Sequence, residues 1–316
     1  QISSKRFLFI APKITAEGRK ANFLLDNPKI RIYHIQYIIY HILSRIERKV
    51  SVRAKQKYGG VKPMKKVYDL SVTIANYGYD PRPAEIEYRN HKDNARYYAG
   101  TTGVDPSAFP DGEALNTETL TILTHTGTHL DAPWHYGTQS EGKPAMTIDD
   151  VPLEWCYGDG VVLDFRHKGP QDVIDVADLE EELKRIGYTL KPGDIPCIMC
   201  LGGDQYLTNK NYYSLHTGIT KEALFWMLDQ GIKVIGTDGW SLDKPMKYMK
   251  EDYFAGNKDA MWPVHFAGRE RAYCHIEKLT NLDLLPKPFG FKIYFFPIKI
   301  ARASAGWCRP VAIFED

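Results

Sequence analysis

The segment LTILTHTGTHLDAPWHYG, residues 120–137, places His125, His129, Asp131 and His135 within eleven positions. On a helix, the i, i+4 spacing of His125 and His129 would put both imidazoles on one face. Thr126-Gly127-Thr128 between them and Pro133 beyond them oppose a regular helix. The segment therefore reads as a strand end that turns tightly at Gly127 and brings the two rings together. HxxxH alone is weak evidence for a metal, and the zincin pattern HExxH is not present. Asp131 and His135 change the balance. Neutral imidazoles with one carboxylate are a usual set for catalytic zinc or manganese, and a carboxylate can bridge two cations. His135 reads either as a further ligand or as a base beside the metal. The competing reading is a surface loop whose polar residues satisfy one another.

Outward from this segment, the pattern alternates strands and helices. KVYDLSVTI, ETLTILTH, DGVVLDF, GDIPCIMCLGG, KVIGTDGW, GFKIYFFPIKI and WCRPVAIFE read as strands, with ETLTILTH running into the histidine cluster. DVADLEEELKRIG predicts an amphipathic helix with Leu179, Leu183 and Ile186 on one face and Gly187 as its stop. GITKEALFWMLDQG predicts a second helix, with Thr220 as N-cap and Gly231 past its end. Strands outnumber helices, which predicts an α/β domain with a mixed or barrel-like sheet.

Charge divides the 316 residues unequally. Residues 1–63 carry 14 Lys/Arg and 3 Asp/Glu, a net of +11; the remainder has 41 − 14 = 27 basic and 39 − 3 = 36 acidic residues, a net of −9. An acidic body argues against nucleic acid as its partner. The segment 1–63 reads as a basic N-terminal extension, non-native or disordered, with Met64 as the native start and 64–316 as one catalytic domain. A real basic arm, with YHIQYIIYHILSRIERK as a helix, is the competing reading. No apolar run reaches the length of a membrane span. The five cysteines, an odd number in a large chain, imply no disulfide framework and a reducing, cytoplasmic setting.

HTGTHLDAPWH resembles the H-x-G-T-H-x-D-x-P-x-H signature of the cyclase-type metal-dependent hydrolases, which include kynurenine formamidases and isatin hydrolases; all seven fixed residues are present. YDLSVTI, KPGDIPCIMCLGGD, GITKEALFWMLDQGIKVIGTDGWSLD and IEKLTNLDLLP resemble further segments of that family, so the likeness spans 64–316. It implies a swivelling β/α/β domain, usually a homodimer whose partner chain helps close the pocket. It also implies a divalent metal, zinc or manganese, as one or two ions. His125, His129 and Asp131 would hold the catalytic ion, Asp131 would bridge to a second held by His265 and Glu277, and His135 would shuttle protons. The activity implied is hydrolysis of a small amide by metal-activated water, as in cleavage of N-formylkynurenine. Hydrolysis of another cyclic amide or lactone, and a metal- or small-molecule-binding protein without turnover, are the alternatives.

The sequence also departs from the pattern. Cys200 and Leu201 stand where the family often has Arg and Thr, Cys197 where Val is common, and residues 75–118 replace a short loop with a long one. That segment is expected to shape the pocket for a small-molecule substrate. Trp134 and Trp240, with Tyr136, are expected as aromatic walls, although Trp240 suits a core role equally. Cys197 and Cys200 are expected to be buried on a strand. His275, two residues before Glu277, would share its face on a strand, but is expected to be an outer or surface residue rather than a ligand.

Overall fold

The computed structural model describes residues 66–314. The basic extension 1–63 and the start at Met64 lie outside the described residues. Fifteen strands run in the order β1 (Lys66–Asp69), β2 (Glu85–Arg89), β3 (Thr117–Thr121), β4 (His129–Asp131), β5 (Gln139–Ser140), β6 (Lys143–Pro144), β7 (Tyr157–Asp164), β8 (Val173–Ile174), β9 (Ile195–Met199), β10 (Gly218–Ile219), β11 (Val234–Thr237), β12 (Cys274–Glu277), β13 (Phe291–Tyr294), β14 (Ala305–Trp307) and β15 (Val311–Phe314). Among the described residues the α-helices are α1 (His91–Thr102), α2 (Pro133–Tyr136), α3 (Val176–Ile186), α4 (Lys221–Asp229), α5 (Met246–Phe254) and α6 (Pro263–Ala267).

Nine strands form one mixed sheet in the order β1-β15-β13-β7-β9-β11-β12-β4-β14, curled into a half-barrel. Its centre, β7-β9-β11-β12, is parallel, and the strands on either side are antiparallel. Buried on both faces, the central strands read as apolar runs rather than alternations, and all five residues of β9 are buried. Successive residues still serve opposite faces. Val161, Leu163, Ile198 and Ile235 pack against Leu179 and Leu183 of α3, Leu224 and Met227 of α4, and Val264 of α6. Val162, Cys197, Val234 and Ile276 pack on the other face with Leu70, Ile148 and Phe295.

The helices begin and end where their residues dictate. Asp175 and Asp178 form a reciprocal capping box at the start of α3, and the Gly187 backbone closes its end. The Thr220 side chain accepts from the Ala223 N–H at the start of α4. Cys197 lies buried within β9 and Cys200 just beyond it, also buried. Among the described residues, no helix is long and apolar enough to cross a membrane.

Two expectations are corrected. The strand in ETLTILTH does not run into the histidine cluster: β3 pairs only with β2, every residue of it is exposed, and β4 is a separate strand that starts at His129. Residues 75–118 are not simply a loop, because they contain α1. Asn90 caps that helix by accepting from the Asp93 N–H, and Gly103 ends it in the left-handed conformation. These start and stop residues were present in the sequence; what hid the helix was its weak apolar face.

Candidate metal centre

Gly127 has φ +67°, a conformation that L side chains rarely adopt, and it turns the chain between the two histidines. The ring centroids of His125 and His129 end 5.0 Å apart. Thr128 locks the turn: its hydroxyl donates to the Lys278 carbonyl at 2.6 Å and accepts from the Val72 N–H at 2.9 Å. The chain then enters β4. His129 and Asp131 take one face of that strand while Leu130 enters the core on the other. Pro133 occupies the first position of the single-turn helix α2, where its missing N–H costs nothing. That turn carries His135 back over the cluster, with its ring centroid 4.1 Å from that of His125.

The second half arrives across the sheet. In the antiparallel pairing of β12 with β4, His275 stands opposite Asp131 and Glu277 opposite His129. His265 comes from α6. The Asp243 carboxylate accepts from the N–H groups of Val264 and His265 and, at 2.6 Å, from His265 Nδ1, so one buried group caps the helix and orients its imidazole.

Asp131 joins the two halves. Its Oδ1 lies 2.9 Å from His125 Nδ1 and 3.1 Å from His129 Nε2. Its Oδ2 lies 3.0 Å from His275 Nε2, 3.8 Å from His135 Nε2 and 3.9 Å from His265 Nε2. Glu277 Oε1 is 3.2 Å from His275 Nε2 and 3.8 Å from His265 Nε2, and its Oε2 is 3.6 Å from His129 Nε2. Two sets of potential ligands result, His125–His129–Asp131 and Asp131–His265–His275–Glu277.

Hydrogen bonding explains why these atoms suit a cation. His129 Nδ1 faces the Gly127 carbonyl at 2.8 Å, which can only accept, so that nitrogen carries a proton, and in the neutral ring Nε2 would present a lone pair to Asp131. By the same logic Asp243 fixes His265 with its Nε2 lone pair toward the two carboxylates. His129 Nε2 and both oxygens of Asp131 are buried without a well-aligned hydrogen bond, despite the short distances. Lone pairs converging in a buried site repel unless a cation stands between them. The donor set, imidazoles with carboxylates and no thiolate, fits zinc or manganese.

The charges agree. Burial opposes ionisation of Asp131, but the attraction of His125, His135 and His129 outweighs it and holds the carboxyl well below its usual range. Burial likewise opposes Glu277, yet hydrogen bonding and attraction to His275 bring it down to about 2. Burial would discharge His275; the close approach of the Asp131 and Glu277 carboxylates prevails and raises it to about 9. His135 differs. Its burial dominates over attraction to Asp131, with repulsion from His125 and His265 adding to it, and its pKa falls to about 4.

The structure thus brings together His125, His129, Asp131, His135, His265 and Glu277, and adds His275. Of the expected outer or surface position for His275, the surface alternative is corrected: the residue is fully buried, with Nε2 among the potential ligand atoms. Its alternation with Glu277 on a strand was the available signal. Tyr136 is no pocket wall. It is buried, its hydroxyl is 3.1 Å from His275 Nδ1, and its ring stacks on Tyr273. Trp134 is 40% exposed beside His135. Trp240 is engaged beneath the site, donating its indole N–H to Asp80 Oδ1 at 3.0 Å.

The family described as "Putative cyclase" matches residues 68–244. The chain belongs to the cyclase family. A relative, the kynurenine formamidase of Erythrobacter litoralis (strain HTCC2594), is 27% identical over 201 residues, covering 64% of this chain and 78% of that protein. The kynurenine formamidase of Salinibacter ruber (strain DSM 13855 / M31) is 25% identical over 207 residues, 64% of this chain and 81% of that one. In fold, the chain is similar to isatin hydrolase A from Ralstonia solanacearum, with TM-score 0.62 and 22% identity over 82% of this chain and all of that one. It is equally similar to an isatin hydrolase bound to the product analogue thioisatinate, with TM-score 0.63 and 17% identity over 88% and 99% of the two chains.

Proposed function

We propose that this chain is a metal-dependent amidohydrolase, arylformamidase-like, that cleaves the carbon–nitrogen bond of a small aryl formamide such as N-formylkynurenine to an amine and formate. The observation that carries this reading is Asp131: a buried, ionised carboxylate whose two oxygens each face imidazole nitrogens with no well-aligned hydrogen bond. His125, His129 and Asp131 would hold one divalent cation, and Asp131, His265, His275 and Glu277 a second. When bound, such a cation polarises the amide carbonyl and lowers the pKa of a water it holds from ~15.7 toward ~7.

His135 has the properties of the proton carrier. Its side chain is 34% exposed, unlike the buried His129 and His275, and its low pKa keeps the ring neutral at neutral pH, with one nitrogen free to accept a proton. That nitrogen can take a proton from the attacking water as the oxygen–carbon bond forms. It then returns that proton to the leaving nitrogen as the carbon–nitrogen bond breaks. Trp134, adjacent and exposed, offers an aromatic wall for an aryl group. The named activity of the two formamidase relatives supports the choice of an aryl formamide. The homodimer is proposed on the family resemblance alone and is checked by light scattering.

The test is elemental analysis of the purified chain with an assay on N-formylkynurenine, isatin and a simple lactone. Bound metal with turnover of the formamide supports the reading. Turnover of isatin or the lactone alone moves the substrate class, and bound metal without any turnover leaves a binding protein.

A further inference from the structure

Lys278 follows the acidic residue Glu277, yet its own side chain turns away from the cluster. The residue is 2% exposed and adopts φ +60°, a left-handed conformation unusual for any residue but glycine. Such strain persists where the surroundings over-determine it, and here they do. The Lys278 N–H donates to the Gly239 carbonyl at 3.0 Å, and its carbonyl accepts from Thr128 Oγ1. Its ammonium donates to the backbone carbonyl of His125 at 2.6 Å, lies 3.4 Å from Asp80 Oδ1, and sits 5.3 Å from the centroid of the Trp240 ring. A buried ammonium needs such partners, because an unpaired one would be costly.

Asp80 is equally committed. Its Oδ1 accepts from Trp240 Nε1, and its Oδ2 accepts from the Tyr206 hydroxyl at 2.9 Å and from the Gly127 N–H at 3.2 Å. Gly127 is the turn residue between His125 and His129. The His125 turn is therefore gripped at its carbonyl by Lys278 and at the Gly127 N–H by Asp80, and those two grips form an ion pair with each other. Asp80 also lies at the foot of the projecting segment that carries β2, α1 and β3. Asn76 closes that foot, its side chain bonding both the N–H and the carbonyl of Ile86.

We propose that Lys278 and Asp80 are positioning residues: a buried latch that aims the His125 imidazole at Asp131 and fastens the segment 76–121 to the metal-binding turn. Neither side chain joins the cluster, so both act through His125 and Gly127. The latch rests on the metal-site reading above. It assigns the long segment a coupling to the metal centre, so that a change at its foot changes metal affinity.

The experiment titrates the metal-free full chain with Co2+, following affinity and the visible spectrum, for Lys278→Met, Lys278→Arg, Asp80→Asn and the double variant Lys278→Met/Asp80→Asn. Circular dichroism confirms folding. Each of Lys278→Met and Asp80→Asn is expected to weaken Co2+ binding about 10–100-fold, the range for losing a group that orients a ligand, and to alter the spectrum. The double variant should lose little more than either single, since both break one latch. Lys278→Arg, which keeps the cation, should recover part of the affinity. If Lys278→Met does not fold, the near-isosteric Asp80→Asn and the charge-keeping Lys278→Arg decide. Wild-type affinity and spectrum in the folded variants, or losses that multiply in the double variant, overturn the latch alone. A wild-type chain that takes up no Co2+ overturns the metal-site reading and the latch with it.

Discussion

His275 stands directly opposite Asp131 in the antiparallel pairing of β12 with β4. Facing residues in such a pair have their Cβ atoms only about 4.5–5.5 Å apart on one face. The neighbouring pair on that face, Glu277 with His129, repeats the arrangement. Two strands thus deliver four potential ligands through ladder register alone, without any specialised loop.

His275→Ala should therefore cost more metal than the about 10–100-fold typical of removing an orienting partner. Asp131→Ala, which removes the group shared by both sets, should leave no tight site. Metal content after dialysis measures both. Wild-type stoichiometry in His275→Ala would return that residue to an orienting role.

His135→Ala should keep its metal while kcat falls about 10²–10⁴-fold, the range for losing a general acid–base. Its Nε2 is 3.8 Å from the nearest Asp131 oxygen, and its side chain is the most exposed of the clustered histidines. Steady-state kinetics with a metal assay separates the two effects, and normal turnover removes His135 from the mechanism.

Asp243→Asn should lower metal affinity about 10–100-fold without touching a ligand. The carboxylate holds His265 Nδ1 and two N–H groups of α6, and an amide can replace it only partly. Calorimetric titration of the metal-free variant with Zn2+ provides the reading. Unchanged affinity would mean that packing alone orients His265.

Gly158→Ala should destabilise the fold by about 1–3 kcal/mol, as overpacking does. A Cβ there would lie 2.2 Å from the Gly193 carbonyl oxygen, a backbone atom that cannot rotate away, so β7 or its neighbour must shift. Urea unfolding gives the difference, and an unchanged midpoint would show that the strands yield freely.

His216 makes stability depend on pH. The ring is fully buried, its Nε2 faces the Asp243 carbonyl at 3.1 Å, and burial is the main cause that lowers its pKa from 6.5 to about 4. Above pH 6.5 the ring is neutral whether folded or unfolded, and its contribution is intact. As the pH falls from 6.5 to about 4 the unfolded chain takes up the proton first, and stability drops. The full loss is on the order of 3 kcal/mol. His216→Phe should flatten that part of the pH profile of the metal-free protein. Parallel profiles would assign the slope to other groups.

Some of this was legible along the chain. Gly127 and Pro133 govern backbone angles within one or two residues, so the turn at the first histidine pair and the break before His135 could be read directly. The ends of α3 and α4 were legible for the same reason, since capping residues act within a single turn. His275 was set aside as a ligand although its alternation with Glu277 was visible, because spacing along one strand does not reveal that β4 pairs beside it with Asp131 opposite His275. Asp243 and Asp80 gave no local signal at all: their partners are backbone groups and side chains distant in sequence.

By itself the sequence determined the pieces: an imidazole–carboxylate turn, a strand with alternating acid and histidine, and a mixed α/β order. Their chemistry is short-ranged and written in residue type and spacing. The tertiary structure alone decided that β12 lies beside β4 in the register that opposes His275 to Asp131, that α6 lowers His265 onto the same carboxylate, and that Lys278 and Asp80 meet behind His125. Those outcomes come from packing two apolar faces of one sheet at once. A shift of one residue in that register would turn every ligand of a strand into the core.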